Sequence, residues 1–132
     1  MRFFIWNYLM WKGVIIEESL EDKSLLSLVK IISSRQTTLE NESERGVLTF
    51  HSLELEDSNL DEFIETAQKS NKDSFYIHIC KGNEMIVVFK NKVFRFSSDN
   101  SAELNKAREY GISVGVFKEQ MPFEKLIENP FG

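Results

Sequence analysis

Cysteine is nearly missing: Cys80 is the only one among 132 residues. An internal disulfide is therefore excluded, and a reducing compartment is expected. Cationic side chains are in deficit, with 16 Lys and Arg against 21 Asp and Glu. A net charge of -5 argues against nucleic acid, whose binders rely on cationic contacts to phosphates. It also disfavours an anionic membrane surface. Glycine is sparse, and Gly111-Ile-Ser-Val-Gly115 lacks both the third glycine and the strand-turn-helix setting of a phosphate-binding loop.

Long apolar runs are absent too. Phe3-Phe-Ile-Trp6 and Tyr8-Leu-Met-Trp11 are short blocks broken by Asn7 and closed by Lys12. A spanning helix needs about 20 apolar residues, and a secretory signal needs a clean apolar stretch with a small-residue cleavage site. Neither is seen, so a cytoplasmic protein is expected. No cofactor is indicated.

What the chain does have is phenylalanine, eleven copies, with two Trp and three Tyr. Such bulk suits a small core, a ligand pocket or a subunit interface. Its length predicts one domain over residues 1–132. That domain divides into an aromatic segment (1–12), a core (13–123) and a tail (124–132).

The patterns along the chain predict an α+β fold. Val14-Ile15-Ile16 reads as a strand. Ser19 with Asp22 resembles a capping box opening a helix through Leu25, Leu26 and Leu28. Residues 29–39 read as a strand from Ile31, Ile32, Thr37 and Thr38, although Leu25, Leu28, Val29 and Ile32 also fit one helical face. Glu40 to Gly46 reads as a solvated hairpin tip. Val47 to Leu55 is a strand with Phe50 and Ser52 on one side, and His51, Leu53 and Leu55 on the other. Ser58 caps a helix to about Ser70. Asn100 with Glu103 caps another that ends at Gly111, Ser113 to Phe117 is extended, and Pro122 opens a last helix. The order strand, helix, strand, strand, helix, strand gives a ferredoxin-like βαββαβ core, extended by an antiparallel β-meander and C-terminal helices.

Residues 75–96 form that meander, with turns at Gly82-Asn83 and Asn91-Lys92. Counting from the turns pairs Cys80 with Met85, His78 with Val87, Tyr76 with Phe89, Phe89 with Phe94 and Val87 with Phe96. One face then holds Tyr76, His78, Cys80, Met85, Val87, Phe89, Phe94 and Phe96. The other holds Phe75, Ile77, Ile79, Ile86, Val88 and Val93. Both faces are apolar, whereas a half-solvated antiparallel sheet alternates. Something must cover the second face: the N-terminal aromatic segment, the C-terminal helices, a second subunit or a ligand. Covering roughly 400 Å² contributes on the order of 10 kcal/mol.

Candidate chemistry is sparse. His78 and Cys80 lie two apart on one strand, as a thiolate and imidazole pair could. Their aromatic face favours a buried thiol acting as a small hydrophobe. His51, His78 and Cys80 would form a three-ligand metal set, but the spacing of common zinc sites is missing. Glu17, Glu18, Glu54, Glu56, Asp57, Asp61 and Glu62 could do acid-base work, yet strand ends and first helical turns account for them. Arg2, Lys12, Lys81, Lys90, Lys92 and Arg95 could rim an anion site, but turns explain them as well.

The segments Gly13-Val-Ile-Ile-Glu-Glu-Ser-Leu20, Leu48-Thr-Phe-His51, Phe75-Tyr-Ile-His78, Ile86-Val-Val-Phe-Lys-Asn-Lys-Val-Phe94 and Tyr110-Gly-Ile-Ser-Val-Gly115 resemble a family of small uncharacterised bacterial and archaeal soluble proteins. Glu119-Gln120 and Phe123 belong to the same likeness. Its members carry a "vvFrnKvF"-like hairpin and a closing "YG-x-x-x-GIP-x-x-Q-x-D-F"-like element. Here Val116-Phe117 stands in place of Ile-Pro, and Met121-Pro122 precede Phe123. The resemblance implies a compact domain and assigns no catalytic residue. The expectation is a non-enzymatic binding or interaction domain, a homo-oligomer that dimerises through a sheet face. Trp6, Trp11, Ile77, Ile79 and Val88 are its candidate contacts. The alternative is a small enzyme or metal site near His78, Cys80 and His51.

Overall fold

The computed structural model describes residues 10–39 and 42–132. They form a mixed α+β fold around one six-stranded antiparallel sheet. The strands are β1 (Met10–Ile16), β2 (Lys30–Thr37), β3 (Leu48–Glu56), β4 (Ile77–Lys81), β5 (Glu84–Phe89) and β6 (Lys92–Ser97), in the spatial order β2-β3-β1-β4-β5-β6. Three α-helices accompany them: α1 (Leu60–Ser70), α2 (Ser101–Ser113) and α3 (Phe123–Glu128). Among the described residues no helix is long and apolar enough to cross a membrane.

Residues 30–37 are the strand that their β-branched content suggested. The segment before them is not the expected α-helix. It forms two 3-10 turns, Glu17–Ser19 and Lys23–Leu28, and Asp22, not Ser19, caps the second by accepting from the Ser24 amide at 2.9 Å. Ser58 likewise does not cap α1; its hydroxyl donates to Glu56 instead. Asn100 does cap α2, accepting from the Glu103 amide at 3.2 Å. That helix continues through Gly111 to Ser113, replacing part of the expected extended piece, and the chain leaves through Gly115 at φ +96°. Gly111 lets Met121 pack closely on α2: a Cβ there would lie 2.3 Å from the Met121 sulfur, and that side chain would have to shift.

The meander holds its expected faces. Cys80 pairs with Met85 and His78 with Val87 across the Gly82-Asn83 turn. The second turn is Lys90-Asn91, with Asn91 at φ +61°, so Val87 pairs with Phe94 and Met85 with Phe96. That register differs by two residues from the expected one. A shift of two preserves the side each residue faces.

Each face has its own cover. Trp11, Ile15, Leu53, Leu55, Ile77, Ile79, Ile86 and Val88 pack beneath α1 and the second 3-10 turn, against Leu25, Leu60, Phe63 and Ala67. Cys80, Met85, Val87, Phe89 and Phe96 pack beneath α2 and α3, against Leu104, Ala107, Met121, Phe123, Leu126 and Ile127. The chain's own C-terminal third covers the second face. The candidate contacts Trp11, Ile77, Ile79 and Val88 are therefore core residues, each no more than 1% exposed, and no second subunit can reach them. Trp6 lies outside the described residues.

Gly13 sits inside β1, which begins earlier than Val14. A Cβ there would fall 1.9 Å from the His78 carbonyl oxygen of β4. Backbone cannot yield as a flexible side chain can. Gly13→Ala is expected to destabilise the fold by about 3 kcal/mol, from overpacking between β1 and β4. Urea unfolding followed by far-UV circular dichroism checks this.

Candidate functional site

The C-terminal cover stops short of β3 and β2. On that face β1 presents Val14 and Ile16, β3 presents Phe50 and β2 presents Arg35, since Ile16 pairs with Phe50 and Phe50 with Arg35. The edge of the cover supplies Leu126, Pro122, Gln120 and Phe131. Between them lies a cleft of about 180 Å³, lined also by Phe75, Tyr76 and His78. Its lining is mainly apolar, the usual character of small-molecule sites.

Three polar features shape it. Glu42 is buried at 3% exposure, unlike the solvated loop expected there. Arg45 compensates its charge at 2.9 Å, donates to Ser74 and lies 4.5 Å above the Phe75 ring. Arg35 stacks over Phe50 at 5.2 Å and has no carboxylate partner among the described residues. Glu119 lines the facing wall, on the 3-10 turn Lys118–Gln120.

His78 is buried at the back, with Nε2 2.6 Å from the Pro130 carbonyl oxygen. Burial pulls its pKa down to about 4, against the smaller opposing effect of that hydrogen bond. The neutral ring donates from Nε2, which leaves Nδ1 as an acceptor. Cys80 follows two residues on, its thiol 3.6 Å from the Leu126 carbonyl oxygen. Burial pushes that thiol up to about 12. A neutral imidazole beside a protonated thiol is the opposite of an activated thiolate pair. Tyr76 anchors the cover by donating to the Gln120 carbonyl, and burial raises its phenol further.

His51 is on the other side of the sheet. It pairs with Ile15, whereas His78 pairs with Val14, and neighbours along β1 face opposite ways. His51, His78 and Cys80 therefore do not converge, and no group of three potential metal ligands occurs among the described residues. The ring of His51 instead meets Ser34 at 2.7 Å and Glu17 at 2.9 Å. The acidic candidates disperse. Glu18 accepts from Thr49. Asp57 accepts from Lys81 and Trp11, which lower its pKa. Lys81, Asp57, Glu84 and Arg95 form ion pairs at one end of the sheet rather than an anion rim. Arg2 lies outside the described residues.

No family model, no curated protein and no solved structure matches this chain. Arg35, Glu42 and Glu119 were not put forward as site residues by sequence reasoning. Only the parity of β2, which depends on its pairing with β3, places Arg35 on the Phe50 side.

Two outcomes follow from the buried pair. The native thiol should resist Ellman's reagent at pH 8 and react fully once unfolded. The second concerns pH. His78 titrates near 6.5 when unfolded and about 4 when folded. Its contribution is complete above the unfolded value and declines as pH falls toward the folded one, by on the order of 3 kcal/mol. His78→Gln should flatten the stability profile between those limits, measured by urea denaturation at stepped pH.

Proposed function

We propose that the chain is a small-molecule-binding domain whose ligand occupies the cleft beside His78 and is bound there without being transformed. The observation that carries this reading is the cleft itself. It is apolar, pre-formed and bounded by a single cation, Arg35, that has no carboxylate partner among the described residues. An apolar body would lie against Val14, Ile16 and Phe50, and one acid group would reach the guanidinium, which suits carboxylates well. Glu119 opposes a second acid group on the facing wall. The ligand class is thus a small apolar monoacid.

The same reading retains a ferredoxin-like frame for the first four strands. Their order β2-β3-β1-β4 supports it, with β5 and β6 added beyond β4 and 3-10 turns in place of the first helix. Self-association through the meander faces is no longer favoured, because α1 and the C-terminal helices occupy them. The resemblance to small bacterial and archaeal proteins adds no residue role. A cytoplasmic location fits the lone buried thiol.

Binding is measured by ligand-observed NMR with a panel of aryl and medium-chain aliphatic monocarboxylates. Saturable binding is expected, weakened about tenfold by Arg35→Ala, the size of one lost charge-assisted contact. Val14→Phe should block the cleft and abolish binding. An unchanged affinity in both variants contradicts the assignment.

A further inference from the structure

Ser34, His51 and Glu17 form a continuous relay on the face of the sheet away from the cleft. Ser34 is directly opposite His51 in the β2–β3 register. The Ser34 hydroxyl lies 2.7 Å from His51 Nδ1, and His51 Nε2 lies 2.9 Å from a Glu17 carboxylate oxygen. With the ring neutral, a single tautomer satisfies both contacts: Nδ1 accepts from the hydroxyl, and Nε2–H donates to the carboxylate. Lys23, at 3.3 Å from Glu17, favours the ionised carboxylate. The His51 side chain is 10% exposed while Ser34 is an exposed residue of the outer strand, so the base is sheltered and the nucleophile lies at the surface.

A β-bulge places a second feature there. The β2–β3 register skips a residue between Ile31 and Ser33. Without the bulge, Ile31 and Ser34 would face opposite sides of the sheet. With it, Ile31 pairs with Leu53 and Ser34 with His51, so both share one face. Ile31 and Ile32 are 40% and 41% exposed, an apolar strip next to the hydroxyl. As the end strand of the sheet among the described residues, β2 also has alternate backbone amides with no neighbouring strand among them.

We infer that Ser34, His51 and Glu17 constitute a nucleophilic acyl-transfer site that hydrolyses small esters with a short apolar acyl group. The Ser34 oxygen forms a bond to the acyl carbon as its proton passes to His51 Nδ1. The ester C–O bond breaks, and the departing alkoxide takes that proton. Water then adds to the acyl-serine, giving a proton to His51 and hydroxide to the acyl carbon, and Ser34 recovers the proton as the acid leaves. Outward amides of β2 stabilise the charge on the acyl oxygen, and Ile31 and Ile32 hold the acyl chain. Ser34 is the catalytic nucleophile and His51 the general base. Glu17 is a positioning residue that fixes the tautomer.

The full chain is treated with an alkyl fluorophosphonate, which forms an Oγ–P bond with loss of fluoride, and adducts are mapped by peptide mass spectrometry. Turnover is read with p-nitrophenyl butyrate. One adduct on Ser34 is expected, absent in Ser34→Ala and retained in Ser33→Ala, whose residue faces the other side. His51→Gln should slow turnover about 100-fold. Glu17→Gln should lower kcat about tenfold with KM unchanged, whereas a merely structural role would leave kcat unaltered in the folded variant. Absence of an adduct, an adduct on another residue, or undiminished turnover in Ser34→Ala overturns the inference.

Discussion

The structure depends on one constraint: the β4–β5–β6 meander is apolar on both faces. Ile77, Ile79, Ile86 and Val88 cannot face water, and neither can Cys80, Met85, Val87 and Phe89. One cover is α1, supplied in the middle of the chain. The other is the segment from α2 onward, which comes last and wraps back over the sheet. The aromatic contacts are concentrated beneath that second cover, where Phe123 meets Tyr76 edge-on at 5.5 Å and Phe89 meets Tyr110 at 5.1 Å. Four of the eleven phenylalanines, Phe89, Phe94, Phe96 and Phe123, belong to this layer.

The cleft is the boundary of the same cover. The C-terminal segment is held down by His78 on Pro130, Tyr76 on Gln120 and Cys80 near Leu126, all three donors lying on or just before β4. Two of these groups, His78 and Cys80, are ones that sequence reasoning put forward for chemistry. Their role is to fasten a lid of helix to a sheet. Beyond the fastening, the sheet continues onto β3 and β2 past the edge of the C-terminal cover, and among the described residues a pocket results. His78 lies at the junction, with one ring nitrogen holding the cover and the ring itself lining the cleft.

Much of this was legible locally and little of it at long range. The meander faces followed from turn residues alone, because an error of two in register leaves parity intact. The strand at residues 30–37 followed from β-branched content. The 3-10 turns after β1 did not, since the capping pattern of Ser19 and Asp22 suits a helix, and tertiary packing of Leu25 decides otherwise. The parity of His51 along β3 was readable; its partners were not. Ser34 meets it only because a bulge resets β2 against β3. Arg35 was unreadable as a site residue for the same reason. Glu42 was misassigned because a buried carboxylate looks like any loop acid until its arginine is seen.

The central claim is that the chain covers the second face of its own meander, so that this face is not available for self-association. Size-exclusion chromatography with light scattering on the full chain and on a version ending at Asp99 tests this directly. The account predicts a monomer for the full chain, and for the shortened one self-association with strong binding of an apolar fluorescent dye. A full chain that is a stable dimer, or a shortened chain that stays a folded monomer without dye binding, would contradict it.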